Sequence, residues 1–246
     1  MDDMLYVAMS GAKETLIAQA AATNNLANAN TPGFLADLNQ FRSMPVFGEG
    51  HPTRVYAMDE RPTSNFDFGS LQRTGRDLDV ALKDGGWLAV QARDGSEAYS
   101  RRGDMRVDEN GLLVTGNNLP VMGNGGPIAI PPFEKIDIGA DGTVSIRPLG
   151  ATSQQLAVVD RIKLVAPQFG EMKKGEDGLF RLGGGGEAEA DPAQRLVAGA
   201  LIASNVNAVD EMVNMIELSR RFELQVKMMQ TAEENAESAS SIIQPV

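Results

Sequence analysis

The sequence predicts an α+β protein with helices at both ends, paired as a coiled coil, and a central, mostly antiparallel all-β domain between them. Three observations carry this. Residues 4–25 are rich in Ala, Gln, Leu and Met, all good helix formers. Between residues 78 and 182, short β-like runs alternate with Asn-Gly and Asp-Gly dipeptides, which readily take the positive φ of tight hairpin turns. From Ser204 onward, apolar residues recur in steps of three and four, the signature of an amphipathic helix.

In the N-terminal element, Leu5, Ala8, Ala12, Leu16, Gln19, Thr23 and Leu26 form a weak stripe dominated by small residues. Such a helix is marginal alone in water. It breaks at Asn28-Ala29-Asn30-Thr31-Pro32-Gly33, a strong turn signal. Residues 36–76 carry Pro45, Pro52 and Pro62 without clear periodicity and read as an extended connector.

The β reading rests on Leu78–Leu82, Trp87–Val90, Leu112–Val114, Ile128–Ile130, Thr143–Ile146 and Arg161–Val165. Among the intervening turns are Asp94-Gly95, Asn110-Gly111, Asn124-Gly125 and Asp141-Gly142. The helical crossovers that a parallel sheet requires are missing. Gly183–Gly186, followed by Glu187-Ala-Glu-Ala-Asp191, reads as a solvated linker. The predicted layout is 1–35 and 203–246 as a terminal helical domain, 36–76 as connector, 77–190 as β domain and 191–202 as return linker.

The C-terminal helix is the strongest signal. Ser204, Asn205 or Asn207 can cap it. Met212, Met215, Ser219, Phe222, Val226, Met229, Glu233 and Ala236 trace a heptad seam, widened at one end by Val209, Val213 and Ile216. A long amphipathic helix needs a partner for its stripe. The N-terminal helix covers only part of it, so the remainder predicts self-association or a neighbouring subunit.

Composition narrows the chemistry. The formal net charge of −11 argues against binding nucleic acid or anionic lipid surfaces. There is no cysteine, hence no disulfide, thiolate nucleophile or Cys-based zinc site. No run approaches the roughly 18 to 20 apolar residues of a membrane helix, and Met1-Asp2-Asp3 is acidic where a secretory signal is basic. The one histidine, His51, sits between Gly50 and Pro52 and reads as a loop residue. Aspartates cluster at turns, where backbone geometry explains them. A calcium loop at Asp108-Glu-Asn110-Gly111 fails at both ends, with Arg106 and Asn117 in the first and last ligand positions. The glycine run lacks the Lys-Ser/Thr of a phosphate loop. No cofactor, metal or catalytic site is expected.

Two segments carry a resemblance. Asn24-Asn25-Leu26-Ala27-Asn28-Ala29-Asn30-Thr31-Pro32-Gly33-Phe34 resembles the N-terminal signature of flagellar rod, hook and hook-associated proteins. Ser204-Asn205-Val206-Asn207-Ala208-Val209, with Met212–Ile216 and Arg221-Phe222-Glu223, resembles the matching C-terminal signature. Arg76–Leu82, Gly86–Gln91, Asp94–Tyr99 and Asp177–Phe180 are similar to proximal-rod members. Leu35 departs from the basic residue common in many of these proteins.

The resemblance implies a non-enzymatic subunit of the flagellar rod. Its terminal helices would form an inner tube against neighbouring subunits, with the β domain outside. The chain would be exported unfolded through the flagellar export apparatus, without a cleaved signal, and would transmit torque in the periplasm. Implied partners are further copies, other proximal-rod proteins and the distal-rod protein; nucleic acid and direct membrane insertion are not expected. The expected interface is Leu5, Leu16, Asn24, Asn25, Leu26, Asn28, Asn30, Gly33 and Phe34 at one end. At the other it is Asn205, Val209, Met212, Met215, Ile216, Phe222, Val226 and Met229. The alternatives are another axial protein, or a secreted β-rich enzyme with helical tails.

Overall fold

A computed structural model describes residues 3–45, 55–59, 63–83, 85–150 and 156–243. His51, Pro52 and Pro62 lie outside them. The chain forms two compact units. One comprises residues 1–29, 36–65 and 206–246; the other comprises 30–35 and 66–205.

The first unit contains helix α1 (Asp3–Ala27), strands β1 (Asp37–Leu38), β2 (Phe41–Pro45), β3 (Val55–Asp59) and β4 (Thr63–Ser64), and helix α2 (Ala208–Ile243). Strand β1 pairs antiparallel with β4, and β2 with β3 in a register running from Phe41↔Asp59 to Pro45↔Val55. So the described parts of the stretch after α1 include extended, paired segments, despite its lack of sequence period. Asn207 caps α2: its Oδ1 accepts from Val209 N at 3.1 Å and its carbonyl from Glu211 N at 3.0 Å. Asp210 and Glu211 in the first turn complement the positive end of the helix dipole.

The second unit is built from antiparallel strands, as the turn chemistry predicts. These are β5 (Leu71–Arg73), β6 (Val80–Leu82), β7 (Trp87–Gln91), β8 (Glu97–Ser100), β9 (Met105–Val107), β10 (Leu113–Thr115), β11 (Phe133–Ile138), β12 (Thr143–Pro148), β13 (Ala157–Arg161), β14 (Leu164–Val165), β15 (Met172–Lys174), β16 (Phe180–Leu182), β17 (Leu196–Ala198) and β18 (Ala200–Ile202). The largest sheet runs β14-β7-β8-β16-β15, and a second runs β11-β12-β13. Two-stranded pairs β9–β10, β6–β17 and β5–β18 complete the fold. Asp94-Gly95 closes the β7–β8 hairpin and Asp141-Gly142 the β11–β12 hairpin. In each, the aspartate Oδ1 accepts the backbone N–H two residues on, and the glycine takes positive φ. These turn bonds hold the Asp94 and Asp141 carboxyls below the usual range, chiefly through Ser96 and Thr143.

One core gathers aliphatic side chains, including Leu88, Val121, Ile128, Ile146 and Ile162. A second centres on Trp87, Tyr99 and Phe180, with Leu35, Val165 and Met172. Leu35 is therefore a core residue here, which accounts for an apolar side chain at this position. Lys174 lies beside it: its Nζ donates to Leu35 O at 3.0 Å and lies 4.2 Å from the Phe34 ring centre.

Two sequence readings differ from the structure. Ile128–Ile130 forms no strand; it is held by isolated bridges such as Leu112↔Ala129, because Pro127 and Pro131 flank it and remove ladder donors. Residues 191–202, read as linker, carry β17 and β18, which pair with β6 and β5. Their Leu196, Ala200 and Ile202 are buried, and runs of three residues are too short to show period.

Tyr99 ties the aromatic core to the Gly-rich return. Its hydroxyl donates to Glu97 Oε1 at 2.9 Å and accepts from Ala188 N at 2.6 Å, while Lys163 Nζ donates to Glu97 Oε2 at 2.8 Å. Burial, opposed by the Ala188 bond and reinforced by Glu97, pushes the phenol from 10.0 up to about 12. Between those values the unfolded chain releases a proton that the folded chain keeps. Stability should therefore fall as pH rises through this window. Tyr99→Phe should flatten that fall, as read by urea denaturation at successive pH values.

Candidate assembly interface

The helices of the first unit run antiparallel. Asn25 meets Glu211, Ala18 and Ala22 pack on Met215 and Leu218, and Gly11 and Thr15 meet Gln225. Small residues permit this approach. Ala8, Ala12, Ala18 and Ala22 are buried, and a Cβ on Gly11 would lie 2.7 Å from Gln225 Nε2. Thr15 Oγ1 is 2.7 Å from Gly11 O and 3.2 Å from Gln225 Oε1.

On α2, Leu218 and Ala232 are buried, with half-buried Gln225 midway between them at heptad spacing. Met215, Phe222 and Met229, expected in the seam, are half-buried. Leu218 and Ala232 are buried next to Ser219 and Glu233, which the periodicity named; Ser219 is half-buried, like Gln225, and Glu233 is exposed. Met212 stays exposed, while Val226 is half-buried. On α1 the alanines face inward, and Leu5 and Leu16 are 41% and 50% exposed.

The Asn-rich corner divides between two jobs. Asn25 is buried and works like a strand partner. Its Oδ1 accepts Asp37 N at 2.7 Å, and its Nδ2 donates to Asp37 O at 3.0 Å and to Glu211 Oε1 at 3.1 Å. One side chain thus links the end of α1, the start of β1 and the first turn of α2. Asn24 Nδ2 donates to Asp37 Oδ2 at 2.7 Å, and Asn28 Nδ2 to Asn24 O at 3.0 Å. Leu26 is half-buried and Asn30 exposed.

Gly33, Phe34 and Asn205 fall in the second unit. Gly33 N donates to Ile202 O at 2.8 Å, Asn205 N to Phe34 O at 3.3 Å, and Asn205 Nδ2 to Asp67 O at 2.8 Å. Gly33 has φ +69°, and a Cβ there would fall 2.3 Å from Arg101 O; no other residue fits. The signature residues brought together are therefore Asn24, Asn25 and Asn28 in one unit, and Gly33, Phe34 and Asn205 in the other. Sequence reasoning missed Gly11, Thr15, Asp37, Glu211 and Gln225. The glycine inside an otherwise helical run was the one readable hint.

The pair leaves much apolar surface uncovered. Leu5, Tyr6, Met9, Leu16 and Ile17 on α1 are exposed, as are Val209, Met212, Val213, Ile216, Leu224 and Met228 on α2. A cleft of about 460 Å³ opens beside the β2–β3 hairpin, lined by Val7, Gly11, Phe41, Val55, Ala57 and Met228 among others. Among the described residues there is no helix long and apolar enough to cross a membrane, and no cluster of three His, Cys, Asp or Glu side chains placed to hold a metal.

Residues 5–34 match the flagella basal body rod protein family, 81–146 the flagellar hook protein FlgE/F/G D1 domain, and 197–242 the flagellar basal body rod FlgEFG protein C-terminal family. The chain is 44% identical over 249 residues to the flagellar basal-body rod protein FlgF of Escherichia coli (strain K12), covering 99% of each. The chain belongs to the FlgF family of flagellar basal-body rod proteins. The Salmonella typhimurium FlgF is 43% identical, again over 99% of each chain. A FlgG from Buchnera aphidicola (subsp. Schizaphis graminum) is 28% identical over 97% of this chain and 98% of its own. FlgF membership makes this chain a structural component of the flagellar basal body, in a non-enzymatic family.

Asn25→Ala would remove the side-chain bonds to Asp37 N–H, Asp37 C=O and Glu211, so it should destabilise the protein by about 2–3 kcal/mol. Asn25→Asp should cost more, since it sets a carboxylate against Glu211 and the Asp37 carbonyl. Equilibrium urea unfolding, followed by helical circular dichroism, measures both.

Proposed function

We propose that this chain is a proximal-rod subunit that transmits torque from motor to hook, and that neighbouring subunits cover the outer sides of α1 and α2 through coiled-coil packing. The observation that carries this is the exposed apolar face. Ile216 and Leu224 are 57% and 62% exposed on α2, and Leu16 is 50% exposed on α1. Helices with apolar residues on both flanks of their mutual contact require further helices. Contacts that do not close into a ring generate an open helical assembly. The interface comprises Leu5, Leu16, Leu26, Val209, Met212, Met215, Ile216, Phe222, Val226 and Met229. Asn24, Asn25, Asn28, Asn30, Gly33, Phe34 and Asn205 belong to the same interface. Partners are further copies, other proximal-rod proteins and distal-rod FlgG, with the export apparatus engaged in transit. The chain travels unfolded and works in the periplasm. The absence of cysteine keeps an exported chain from oxidative trapping.

Mass spectrometry and immunogold labelling of purified basal bodies should find the chain in the proximal rod; its absence there would reject the proposal. Ile216→Glu with Leu224→Glu should leave the isolated monomer within about 0.5 kcal/mol of the parent, as exposed positions do, and abolish incorporation into basal bodies. Because Met215 and Phe222 are half-buried, glutamate there should lower monomer stability as well as assembly.

A further inference from the structure

The second unit holds two Asn-Gly turns, and both asparagines are exposed. Their hydrogen bonding differs. Asn110-Gly111 is tied to Asp108. Asp108 Oδ1 accepts from Asn110 N at 2.9 Å and from Leu112 N at 2.7 Å, and its Oδ2 accepts from Asn110 Nδ2 at 3.3 Å. Gly111 N donates to Asp108 O at 3.1 Å. The side-chain amide and the backbone nitrogen that follows it are both engaged.

Asn124-Gly125 sits at the tip of a turn closed by Gly123 N, which donates to Gly126 O at 2.7 Å. Isolated bridges Met122↔Pro127 and Gly123↔Ile162 hold the base of this turn. Among the described residues, neither the Asn124 amide nor Gly125 N has a hydrogen-bond partner. A Cβ at Gly125 or Gly126 would meet nothing within 4 Å. With glycine at 123, 125 and 126, little resists the backbone rotation that carries Gly125 N toward the Asn124 side chain.

We propose that Asn124 is a site of spontaneous covalent modification, converting to isoaspartate and aspartate through Gly125, and that Asp108 protects Asn110 from the same fate. Gly125 N gives up its proton to hydroxide and attacks Asn124 Cγ, forming a C–N bond. The Cγ–Nδ2 bond breaks, and Nδ2 takes a proton from water and leaves as ammonia. A five-membered succinimide remains, which water opens. Attack at the main-chain carbonyl carbon of residue 124 breaks its bond to Gly125 N and leaves isoaspartate; attack at Cγ leaves aspartate. Nothing is oxidised or reduced, and water is the one reagent consumed. Glycine hinders the ring closure least, having no side chain. At Asn110 the same attack must first free Gly111 N and the amide from Asp108, and the Asp108 carboxylate disfavours a second negative charge beside it. Isoaspartate at 124 adds a charge and routes the main chain through the former side-chain carbon, lengthening the turn. The site is independent of how subunits assemble.

The test is to age the folded full chain in mildly alkaline Tris buffer and map its peptides by mass spectrometry with electron-transfer dissociation, which separates isoaspartate from aspartate. Conversion at Asn124 should run about tenfold faster than at Asn110, the ratio expected when the protected turn must first break its bonds to Asp108. Isoaspartate should be present at 124, since direct hydrolysis of the amide yields aspartate alone. In urea, where both turns are unfolded, the two rates should converge. Gly125→Val places a side chain in open space at a φ outside the left-handed region. It should slow conversion at Asn124 several-fold in the folded and the urea-unfolded chain alike. Equal rates in the folded protein, or faster conversion at Asn110, would overturn the proposal. So would aspartate without isoaspartate at 124, or a Gly125→Val chain that converts at the parental rate. Rates that stay apart in urea would overturn it as well, because sequence rather than structure would then set them.

Discussion

The first unit depends on how closely two helix backbones can approach. Ala18 and Ala22 pack beneath Leu218, and Gly11 leaves room for Gln225. Small residues give close contact but bury little apolar area per position, so most of the apolar surface of both helices lies elsewhere. That division of surface is the physical basis for assigning these helices to assembly. The contact within the chain uses alanine and glycine. The larger side chains, Leu16, Ile17, Val213, Ile216 and Leu224, face outward.

Asn25 complements this contact at its end. A single amide substitutes for a missing rung of sheet against Asp37 and at the same time reaches Glu211. Its neighbours follow ordinary turn chemistry, with Asn28 bonded back to Asn24. Gly33 serves the second unit in a different way, by letting backbone pass against Arg101. The Asn-rich signature thus joins residues that act in separate units, and its density reflects two adjacent constraints on one short stretch of chain.

Much of the architecture was legible in the sequence. Helical ends, antiparallel strands and the Asp-Gly turns at Asp94 and Asp141 followed from propensity and from the positive φ that glycine supplies. The Asn207 cap was among the readable candidates. That the two most buried positions of α2, Leu218 and Ala232, were not among those named has a simple cause. Val209, Met212, Val213, Met215 and Ile216 make one broad apolar band, and periodicity locates such a band without saying which edge faces the partner. Leu218 is buried because Ala18 and Ala22 lie against it, and that is a tertiary fact. Strands β17 and β18 were missed because three-residue strands leave no period to read.

Gln225 has a consequence for alignment. Leu218 and Ala232 lie seven residues to either side of it, so sliding α2 along α1 by about 10 Å, two helical turns, would leave the apolar pattern nearly unchanged. Such a slip would carry Gln225 away from Thr15 and strand its amide among alanines, while Leu218 or Ala232 met the hydroxyl. The polar position therefore makes the otherwise repetitive contact directional and singly registered, as one buried amide does in other helix pairs. In a periodic assembly, where each chain must present the same outline to the next, a helix pair with one permitted alignment keeps a one-chain slip from becoming a dislocation that every later subunit would inherit.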